Sequence, residues 1–329
     1  MIRSWAPSRL HFGLIQPAPV GHADDGSTIP RRQFGGCGVM LQEPCVRLRI
    51  EPSRNWSAEG PGASRTLQFA ERLVASLPAG SVAPHHIVVE ELPPQHCGFG
   101  SGTQLALAVA RALAAAAGRP DWDSVELARR VGRGLRSAIG IHGNQHGGFI
   151  VDGGRGKNST IAPMIARLPV PAEWRWLLIW PKKASGIHGA EEMAAFEMLP
   201  GNPRLQELSA AMCGLLLLCL LPALAEHDFE GFSKGLAEYN RLAGEVFASV
   251  QNGAYERGFS ANMIAQLRRF GVSGVGQSSW GPGVFGLFPE EDAAAAVAQR
   301  LNESAADYRI VRTWDACTSE LAEPGQHFE

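Results

Sequence analysis

The chain has 329 residues, which is long for one compact domain and comfortable for two at a prior of ~150 residues per domain. Hydrophobic residues make up 45% of it and charged residues 19%, a globular composition that excludes wholesale disorder. Lys and Arg total 30 against 32 Asp and Glu, for a formal net charge of −2, so no basic excess indicates a nucleic-acid partner.

The apolar runs and the cysteines indicate the cellular compartment of the protein. The N-terminus has no basic region followed by a long apolar stretch, so we expect no signal peptide. The most apolar run, 212–221, stops at Pro222 and is shorter than the roughly 20 residues of a membrane span. We therefore expect a buried core helix and no membrane partner. None of the six cysteines forms a CxxC pair, which favours a reduced, cytoplasmic protein over a zinc or disulfide framework.

The first half of the chain mixes strand and helix signals. Alternation of polar and apolar residues predicts strands at 8–14, 34–41, 45–50 and 86–90. Helical periodicity predicts helices at 66–76 and 103–117, and Asp123 is placed to cap a third. A loop rich in Gly, Asp and Pro covers 16–32, and 132–156 is unusually rich in glycine.

The second half begins where the composition changes. Three prolines lie within 163–171 and a new strand starts near Trp174, so we divide the chain into domains 1–172 and 173–329. A glycine-rich turn is expected at 271–283. Periodicity predicts helices around 190–199, 204–224, 228–250, 260–269 and 290–303, and strands at 284–288 and 308–313.

The segment most indicative of chemistry is the glycine-rich loop that enters the helix at 103–117. Glycines let the backbone approach a ligand, and a helix N-terminus favours an anion, most naturally phosphate or pyrophosphate. Hydroxyls in the loop could donate too, or could face a metal ion. The loop is neither a Walker A nor a Rossmann fingerprint, and an ordinary helix-capping loop is the alternative. The candidate phosphate-binding residues are Gly98, Gly100, Ser101, Gly102, Thr103 and Gln104.

A second candidate segment spans 132–154, where arginines and histidines recur among glycines. Arg136 could fork onto a phosphate or a carboxylate, and His142 and His146 could titrate near neutral pH. Asp152 could hold Mg²⁺ or cap the turn before two glycines. A tight turn and strand with surface histidines is the alternative interpretation.

Two more segments add candidates. On the strand at 8–14, Arg9 and His11 project to the same face, although such a pair is more often simply hydrogen-bonded or solvated. The late glycine-rich loop is a second place where backbone could approach a ligand, with a plain strand connection as its alternative. Its candidate residues are Gly274, Gly276, Gln277 and Ser278.

Together these segments resemble the GHMP kinase superfamily, and within it most closely the β-ribofuranosylaminobenzene 5′-phosphate synthase family. The likeness covers nearly the whole chain, and the GSGTQ form separates the family from the superfamily. It is carried by SRLHFGL at 8–14, GFGSGTQLALAVA at 98–110, GGFIVDGG at 147–154 and GQSSWGPGVFGL at 276–287.

The resemblance implies a two-domain α+β fold, with a ribosomal-protein-S5-like α/β domain followed by a ferredoxin-like α+β domain and the active site in the cleft between them. It also implies a phosphoribosyltransferase of tetrahydromethanopterin biosynthesis. The family joins 5-phosphoribosyl 1-pyrophosphate to 4-hydroxybenzoate or 4-aminobenzoate and releases pyrophosphate and CO₂. Small-molecule substrates are then the expected partners, and Mg²⁺ the expected ion. Proteins of the superfamily often form dimers, so the resemblance is also compatible with a homodimer.

The implied reaction suggests roles for the candidate arginines and histidines. An arginine would hold the acceptor carboxylate, and a histidine would take the proton of its phenol or amine. The candidates for these catalytic roles are Arg9, His11, Arg136, His142 and His146. Ser101 and Asp152 are the candidates for contact with the metal ion.

The sequence departs from the superfamily's kinases. Many of these kinases place a catalytic aspartate after the phosphate-loop helix, where this chain reads SAIGIHGNQHGG with no Asp or Glu before Asp152. An ATP-dependent small-molecule kinase is therefore the second interpretation, and a non-catalytic ligand-sensing relative the third. Fold alone cannot separate the three interpretations.

Overall fold

The computed structural model describes residues 1–17, 32–183, 204–251, 253–301 and 306–316. The first half of the chain forms a six-stranded sheet in the order β3-β4-β2-β5-β6, with β1 paired to β2, and only the β3–β4 pair is parallel. The strands are β1 Ile2–Leu14, β2 Gly36–Pro52, β3 Ser57–Glu59, β4 His85–Glu91, β5 Phe149–Asp152 and β6 Met164–Leu168.

Four described helices belong to this sheet. The second, α2, is buried along most of its length because its alanines admit neighbouring elements closely on several sides. The Asp123 side chain accepts a hydrogen bond from the N–H of Glu126 at 2.7 Å, so the predicted cap is confirmed. The helices are α1 Ala63–Ala75, α2 Ser101–Ala116, α3 Ser124–Arg130 and α4 Ile139–His146.

The second half forms a four-stranded antiparallel sheet in the order β10-β7-β9-β8. Its strands are β7 Arg175–Pro181, β8 Gly274–Gln277, β9 Val284–Phe288 and β10 Ala306–Val311. Its described helices are α5 Leu205–Leu215, α6 Leu221–Ala225, α7 Phe229–Val246, α8 Ala248–Gln251, α9 Phe259–Arg269 and α10 Glu291–Ala298.

The two sheets share one hydrophobic core. Phe12 of β1 packs against Phe149, Trp176 and Phe285, with ring centroids 6.2, 5.7 and 5.3 Å away. The second sheet is also covered on its other face, where alternate residues of β7 pack with residues of α9 and α10. Burial on both faces explains the nearly continuous apolar sequence of β7, and the shared core holds the two units together.

Three element predictions need correction. The strands expected at 34–41 and 45–50 are one strand, β2, because β1 pairs with it on both sides of the cis Glu43–Pro44 bond. The glycine-rich stretch at 132–156 contains a helix, α4, and the turn expected at 271–283 contains strand β8. Glycine indicated a turn at 271–283, and a tight turn and strand was the alternative interpretation for 132–154, yet close packing against neighbours also requires glycine. The helix expected at 190–199 lies outside the described residues.

The apolar run at 212–221 behaves differently from expectation. The helix continues through a π-helical turn, Leu216–Leu220, into α6, whose second residue is Pro222. The π-helical turn changes the hydrogen-bond pattern just before the proline, which has no N–H to donate. Leu217 and Leu218 are 65% and 80% exposed, so only one face joins the core. The span Leu205–Ala225 is the one described helix long and apolar enough to cross a membrane by length and composition alone.

Candidate active site

A cavity of about 700 Å³ lies where the two units meet, within the size range of small-molecule sites. The first unit borders it with β1, the start of α2 and the loop between α3 and α4. The second unit borders it with α7, the segment after α8 and the loop after β8. The cleft between domains, where the resemblance puts the active site, is therefore large enough for substrates.

The glycine-rich loop before α2 forms one wall of the cavity. Gly98 and Gly100 have φ angles of +83° and +75°, in the left-handed region that glycine adopts without steric penalty. Helix α2 starts at the next residue, so the N–H groups of Ser101 and Gly102 lack intrahelical acceptors. These groups and the positive end of the helix dipole make this wall suited to an anion.

Arg9 of β1 lies across this loop. Its backbone N–H donates to the carbonyl oxygen of Phe99 at 3.0 Å, and its Nη1 donates to that of Gly98 at 3.2 Å. A Cβ on Gly100 would lie 2.6 Å from Cγ of Arg9, so only glycine leaves room for the arginine. Arg9 therefore adds a positive charge beside the helix N-terminus.

Ser278, in the late glycine-rich loop, ties three remote segments together. Its fully buried Oγ donates to the carbonyl oxygen of Gly98 at 2.8 Å and accepts from the N–H of His11 at 3.1 Å. The next N–H, of Ser279, donates to the carbonyl oxygen of His11 at 3.0 Å. Ser278 thus supports the glycine-rich loop before α2, and it is not among the described residues that line the cavity.

Of the other candidates in the late glycine-rich loop, two lie away from the cavity and one lines it. Gly274 and Gly276 lie within β8, where a Cβ on Gly276 would clash with the amide of Asn240. Both glycines are absent from the cavity lining, whereas Gln277 belongs to it. The Gln277 side chain accepts from the N–H of Glu256 at 2.7 Å and donates to the carbonyl oxygen of Ser279 at 3.1 Å. Both ends of its amide therefore have partners within the protein, and Gln277 contributes to the shape of the cavity wall.

His11 borders the cavity but is buried. Its Nδ1 accepts from the N–H of Gly13 at 3.2 Å, so the neutral ring carries its proton on Nε2. That Nε2 is buried and has no hydrogen-bond partner. Burial, together with the nearby charge of Arg9, holds the pKa of His11 well below its ordinary value. As placed, neither ring nitrogen offers a lone pair to a substrate, so His11 does not have the geometry of the predicted base.

His142 and His146 lie on α4, outside the described cavity lining. Nε2 of His142 lies 2.8 Å from the carbonyl oxygen of Ala162. Burial lowers the pKa of His146, and the neighbouring positive charges of His142 and Arg167 lower it further. The structure thus does not bring these histidines to Arg9, because α4 turns them away from the cavity.

Gln104 is fully buried and also faces away from the cavity. Its Nε2 donates to the carbonyl oxygen of Gly140 at 2.8 Å, and its Oε1 accepts from Nδ2 of Asn144 at 2.8 Å. Helix α2 is thereby tied to α4. The predicted contact of Gln104 with phosphate is replaced by this structural role, since position 104 lies on the inner side of the helix.

Asp152 is 1% exposed and anchors the start of α4. One carboxylate oxygen accepts from the N–H of Ala138 at 2.7 Å and from Oγ of Ser137 at 3.2 Å. The other accepts from the N–H of Gly154 at 3.2 Å. Three hydrogen bonds, two from backbone N–H groups and one from a serine hydroxyl, engage its oxygens, so the structure supports the turn-capping alternative for Asp152. Burial raises the pKa of Asp152 to about 6, although these hydrogen bonds oppose the shift.

Asp152→Asn is expected to flatten the dependence of stability on acid pH. The folded pKa lies above the ordinary 3.8, so the folded state binds the proton more tightly and wild-type stability falls as pH rises from about 4 to about 6. At about 1.4 kcal/mol per pKa unit, that fall is roughly 2–3 kcal/mol at most. Urea denaturation of both proteins across this pH range measures the difference between their slopes. Equal slopes would contradict the assignment.

The described residues do not form a site for a resident Mg²⁺ ion. Among them, no group of three or more His, Cys, Asp and Glu side chains is placed to hold a metal ion. The described cavity lining contains no Asp or Glu, whereas Mg²⁺ in proteins is usually held by one or two carboxylates besides substrate phosphates. At the start of α2, Ser101 and Thr103 supply hydroxyl oxygens to the cavity lining. Oγ1 of Thr103 accepts a hydrogen bond from Nη2 of Arg133 at 3.1 Å.

Four arginines line the cavity: Arg9, Arg65, Arg133 and Arg136. Sequence reasoning did not single out Arg65 and Arg133. Arg65 lies in no motif, and only the packing of α1 against α2 brings it to the cavity. Arg133 stands among the glycines of 132–134, a signal that could have found it. Four guanidinium groups beside the N-terminus of α2 form a lining that suits an anionic ligand.

Arg136→Ala is expected to lower turnover far more than stability. The half-buried side chain borders the cavity from the loop between α3 and α4, outside the hydrophobic core. Loss of one charged contact with an anionic substrate typically lowers kcat/KM by about 10- to 100-fold, while surface substitutions change stability by about 0.5 kcal/mol. Steady-state kinetics and thermal unfolding test both parts. Unchanged kinetics would remove Arg136 from the site.

An aromatic wall faces the arginines from the second unit. The rings of Phe247 and Trp280 meet edge to face with centroids 4.3 Å apart, and both residues line the cavity beside Tyr255. The cavity therefore combines a cationic side with an aromatic side, which suits a substrate pair made of a phosphate ester and a flat ring.

Comparisons with known proteins agree with this architecture. Residues 65–149 match the GHMP kinases N terminal domain, and residues 220–307 match the GHMP kinases C terminal family. Solved structures share the fold at low sequence identity. A homoserine kinase from Cytophaga hutchinsonii has a TM-score of 0.63 at 15% identity, covering 95% of this chain and 94% of its own. The mevalonate kinase of Methanococcus jannaschii has a TM-score of 0.66 at 11% identity, with coverage of 95% and 98%. The predicted two-domain α+β GHMP fold is confirmed.

Sequence relatives narrow the family. A beta-ribofuranosylphenol 5'-phosphate synthase of Methanothermobacter thermautotrophicus is 30% identical over 89% of this chain and 91% of its own length. Another from Archaeoglobus fulgidus is 31% identical over 87% of this chain and 88% of its own. The GHMP fold, the GSGTQ motif at the start of α2 and this similarity over most of both chains agree, so the chain belongs to the beta-ribofuranosylphenol 5'-phosphate synthase family.

Proposed function

We propose that this protein is a decarboxylating phosphoribosyltransferase that makes a ribofuranosyl phosphate product. It joins 5-phosphoribosyl 1-pyrophosphate to 4-hydroxybenzoate or 4-aminobenzoate, with loss of pyrophosphate and CO₂, in tetrahydromethanopterin biosynthesis. The relatives are named for a phenol product, so 4-hydroxybenzoate is the first acceptor to test. The observation that carries the proposal is a cavity with four arginines and a helix N-terminus on one side and aromatic rings on the other.

The cationic side suits departure of pyrophosphate. The bond between C1 of the ribose and the pyrophosphate oxygen breaks, and its electron pair leaves with the oxygen. The N–H groups of Ser101 and Gly102 and the guanidinium of Arg9 stabilise the negative charge that develops there. Mg²⁺ enters this proposal only as a counter-ion that the phosphates carry in.

The aromatic side suits the acceptor. The ring packs against Phe247 and Trp280, and the ring carbon that bears the carboxylate bonds to the oxocarbenium-like C1. The bond to the carboxylate then breaks, CO₂ leaves, and the electron pair of that bond restores aromaticity. This exchange requires no net proton transfer, so it needs no general base, whether a histidine or a carboxylate. Arg136 is our candidate for holding the carboxylate before it leaves.

An ATP-dependent kinase is less well supported. Transfer of a phosphoryl group to an alcohol usually uses a carboxylate to accept the hydroxyl proton. The described lining of this cavity holds no Asp or Glu. The likeness to solved kinases lies below 25% identity and therefore concerns the fold alone.

The proposal is tested by incubating the purified protein with phosphoribosyl pyrophosphate, Mg²⁺ and carboxyl-labelled 4-hydroxybenzoate or 4-aminobenzoate in parallel. We expect labelled CO₂ and pyrophosphate in equal amounts with at least one acceptor. Unsubstituted benzoate is the control, because its ring lacks the electron donor that attack requires. ATP consumption with an alcohol acceptor and no CO₂ release would support the kinase. Ligand binding without any turnover would support a sensing role.

A further inference from the structure

Arg9 lies at the cavity in a space that two glycines border. Its Cγ is 2.6 Å from the position that a Cβ would take on Gly100, in the loop before α2. The same atom is 3.8 Å from that position on Gly140, in the first turn of α4. The aliphatic part of Arg9 therefore packs against both the glycine-rich loop and α4. The place of α4 relative to α2 thus helps to set where Arg9 lies in the cavity lining.

Gln104 fixes the distance between α2 and α4 at this point. Its Nε2 donates to the carbonyl oxygen of Gly140 at 2.8 Å and lies 3.1 Å from the Cβ position of the same glycine. Gln104 is fully buried, so bulk water does not compete for this hydrogen bond. The last residue of the GSGTQ motif therefore holds α4 beside the side chain of Arg9.

The amide of Gln104 is oriented by a chain of hydrogen bonds that begins at a cation. Nη2 of Arg111 donates to Oδ1 of Asn144 at 2.8 Å, and Nδ2 of Asn144 donates to Oε1 of Gln104 at 2.8 Å. Oγ of Ser124 accepts from Arg111 at 2.9 Å and donates to Asn144 at 2.8 Å. A guanidinium group can only donate, so the oxygen of Asn144 faces Arg111 and its NH₂ group faces Gln104. The same argument directs the NH₂ group of Gln104 to Gly140.

We propose that Gln104 is a positioning residue for Arg9, and that Arg111 and Asn144 set its orientation. This inference rests on the proposed function, in which Arg9 stabilises the leaving pyrophosphate. These three residues are not among the described residues that line the cavity, so they act through the place of α4 and Arg9. A positioning role means that the loss of Gln104 matters much less once Arg9 has been removed, whereas a purely structural role gives the same loss in either case.

The test is a double-mutant cycle on the full chain with Gln104→Met and Arg9→Ala. It measures kcat/KM of the synthase reaction and, by calorimetry, the association constant for pyrophosphate. Methionine keeps the length of glutamine but cannot donate a hydrogen bond. We expect Gln104→Met to lower both quantities at least about 10-fold when Arg9 is present and less than about 2-fold in the Arg9→Ala protein. Losses that simply multiply would overturn the inference.

Variants of Arg111 test the same relation with Gln104 in place. Arg111→Met removes the cation that orients the two amides and should lower both quantities about 3- to 10-fold, again only when Arg9 is present. Arg111→Lys keeps a cation that can only donate, so it should recover most of that loss. Equal losses in the two variants would show that the cation does not orient Gln104.

Val109→Ala on the same helix is the matched control. Val109 is fully buried in the hydrophobic core of the first unit, and its side chain has no group that could join the chain of hydrogen bonds. This variant should lose stability, as thermal unfolding measures for every variant, and keep both quantities within about 2-fold whether Arg9 is present or not. Turnover without coupling between Gln104 and Arg9, or a wild type that does not bind pyrophosphate, would overturn the inference. Coupling in pyrophosphate binding by a protein that releases no CO₂ would keep the inference and refute the synthase proposal.

Discussion

Gly98→Ala is expected to lower stability by about 3–5 kcal/mol and kcat/KM by at least about 100-fold. Gly98 has a φ of +83°, where an alanine is strained by roughly 1–2 kcal/mol. A Cβ there would also clash with the carbonyl oxygen of Ser278, which is backbone and cannot rotate away. The two loops must separate to admit the methyl group, and the N–H groups at the start of α2 then lose their position.

Gly118→Ala separates these two causes. Gly118 has a similar φ of +72°, but a Cβ on it would meet nothing within 4 Å. It should therefore show the backbone strain alone, about 1–2 kcal/mol, with unchanged kinetics. Urea denaturation and steady-state kinetics of both variants make the comparison. If the two variants lose the same stability and activity, the contact between the loops is not what places the phosphate site.

Asn240→Leu should have the second large effect, a loss of roughly 3–5 kcal/mol in the free energy of unfolding. The buried Asn240 side chain donates to the carbonyl oxygens of Phe12 at 2.8 Å and Gln277 at 2.9 Å. It also accepts from the N–H of Gln277 at 2.8 Å. One amide thus connects β1 of the first sheet to β8 of the second. Leucine has a similar volume but leaves these buried backbone groups without that partner.

Ser233→Ala on the same helix is the control for Asn240→Leu. Ser233 is also fully buried, but its Oγ has no hydrogen-bond partner. Removing that hydroxyl should change stability by less than about 1 kcal/mol or increase it slightly. Chemical denaturation measures both variants, and kcat/KM of Asn240→Leu should fall because Gln277 borders the cavity. A loss as small as that of Ser233→Ala would show that the three hydrogen bonds do not hold the units together.

The structural features that the sequence predicted correctly are those that depend on a few neighbouring residues. The glycine-rich loop and the start of α2 were predictable because left-handed glycines and helix N-termini have signatures within a few residues. The cap by Asp123 is local in the same sense. The family likeness also rested on such short segments, and it led to the right fold and to the right family.

The site residues were harder to predict because a polar side chain in a motif can point either towards a ligand or into the protein. Gln104 follows the phosphate loop directly, yet the helical turn directs it inward to Gly140. His142 and Asp152 belong to a segment that suggested chemistry, yet they bond to backbone groups. Nothing in the spacing of these residues distinguishes a ligand contact from an internal hydrogen bond.

By itself, then, the sequence determined the two-unit architecture, the glycine-rich loop that begins helix α2, and the family, because each depends on patterns that are contiguous in the chain. Only the tertiary structure decided which side chains reach the cavity. Arg65 arrives there from α1 and Trp280 from the loop after β8, while Ser278 is withdrawn to support Gly98. These outcomes depend on contacts between segments as many as 267 residues apart. The packing of the shared core sets such contacts, and no local pattern encodes them.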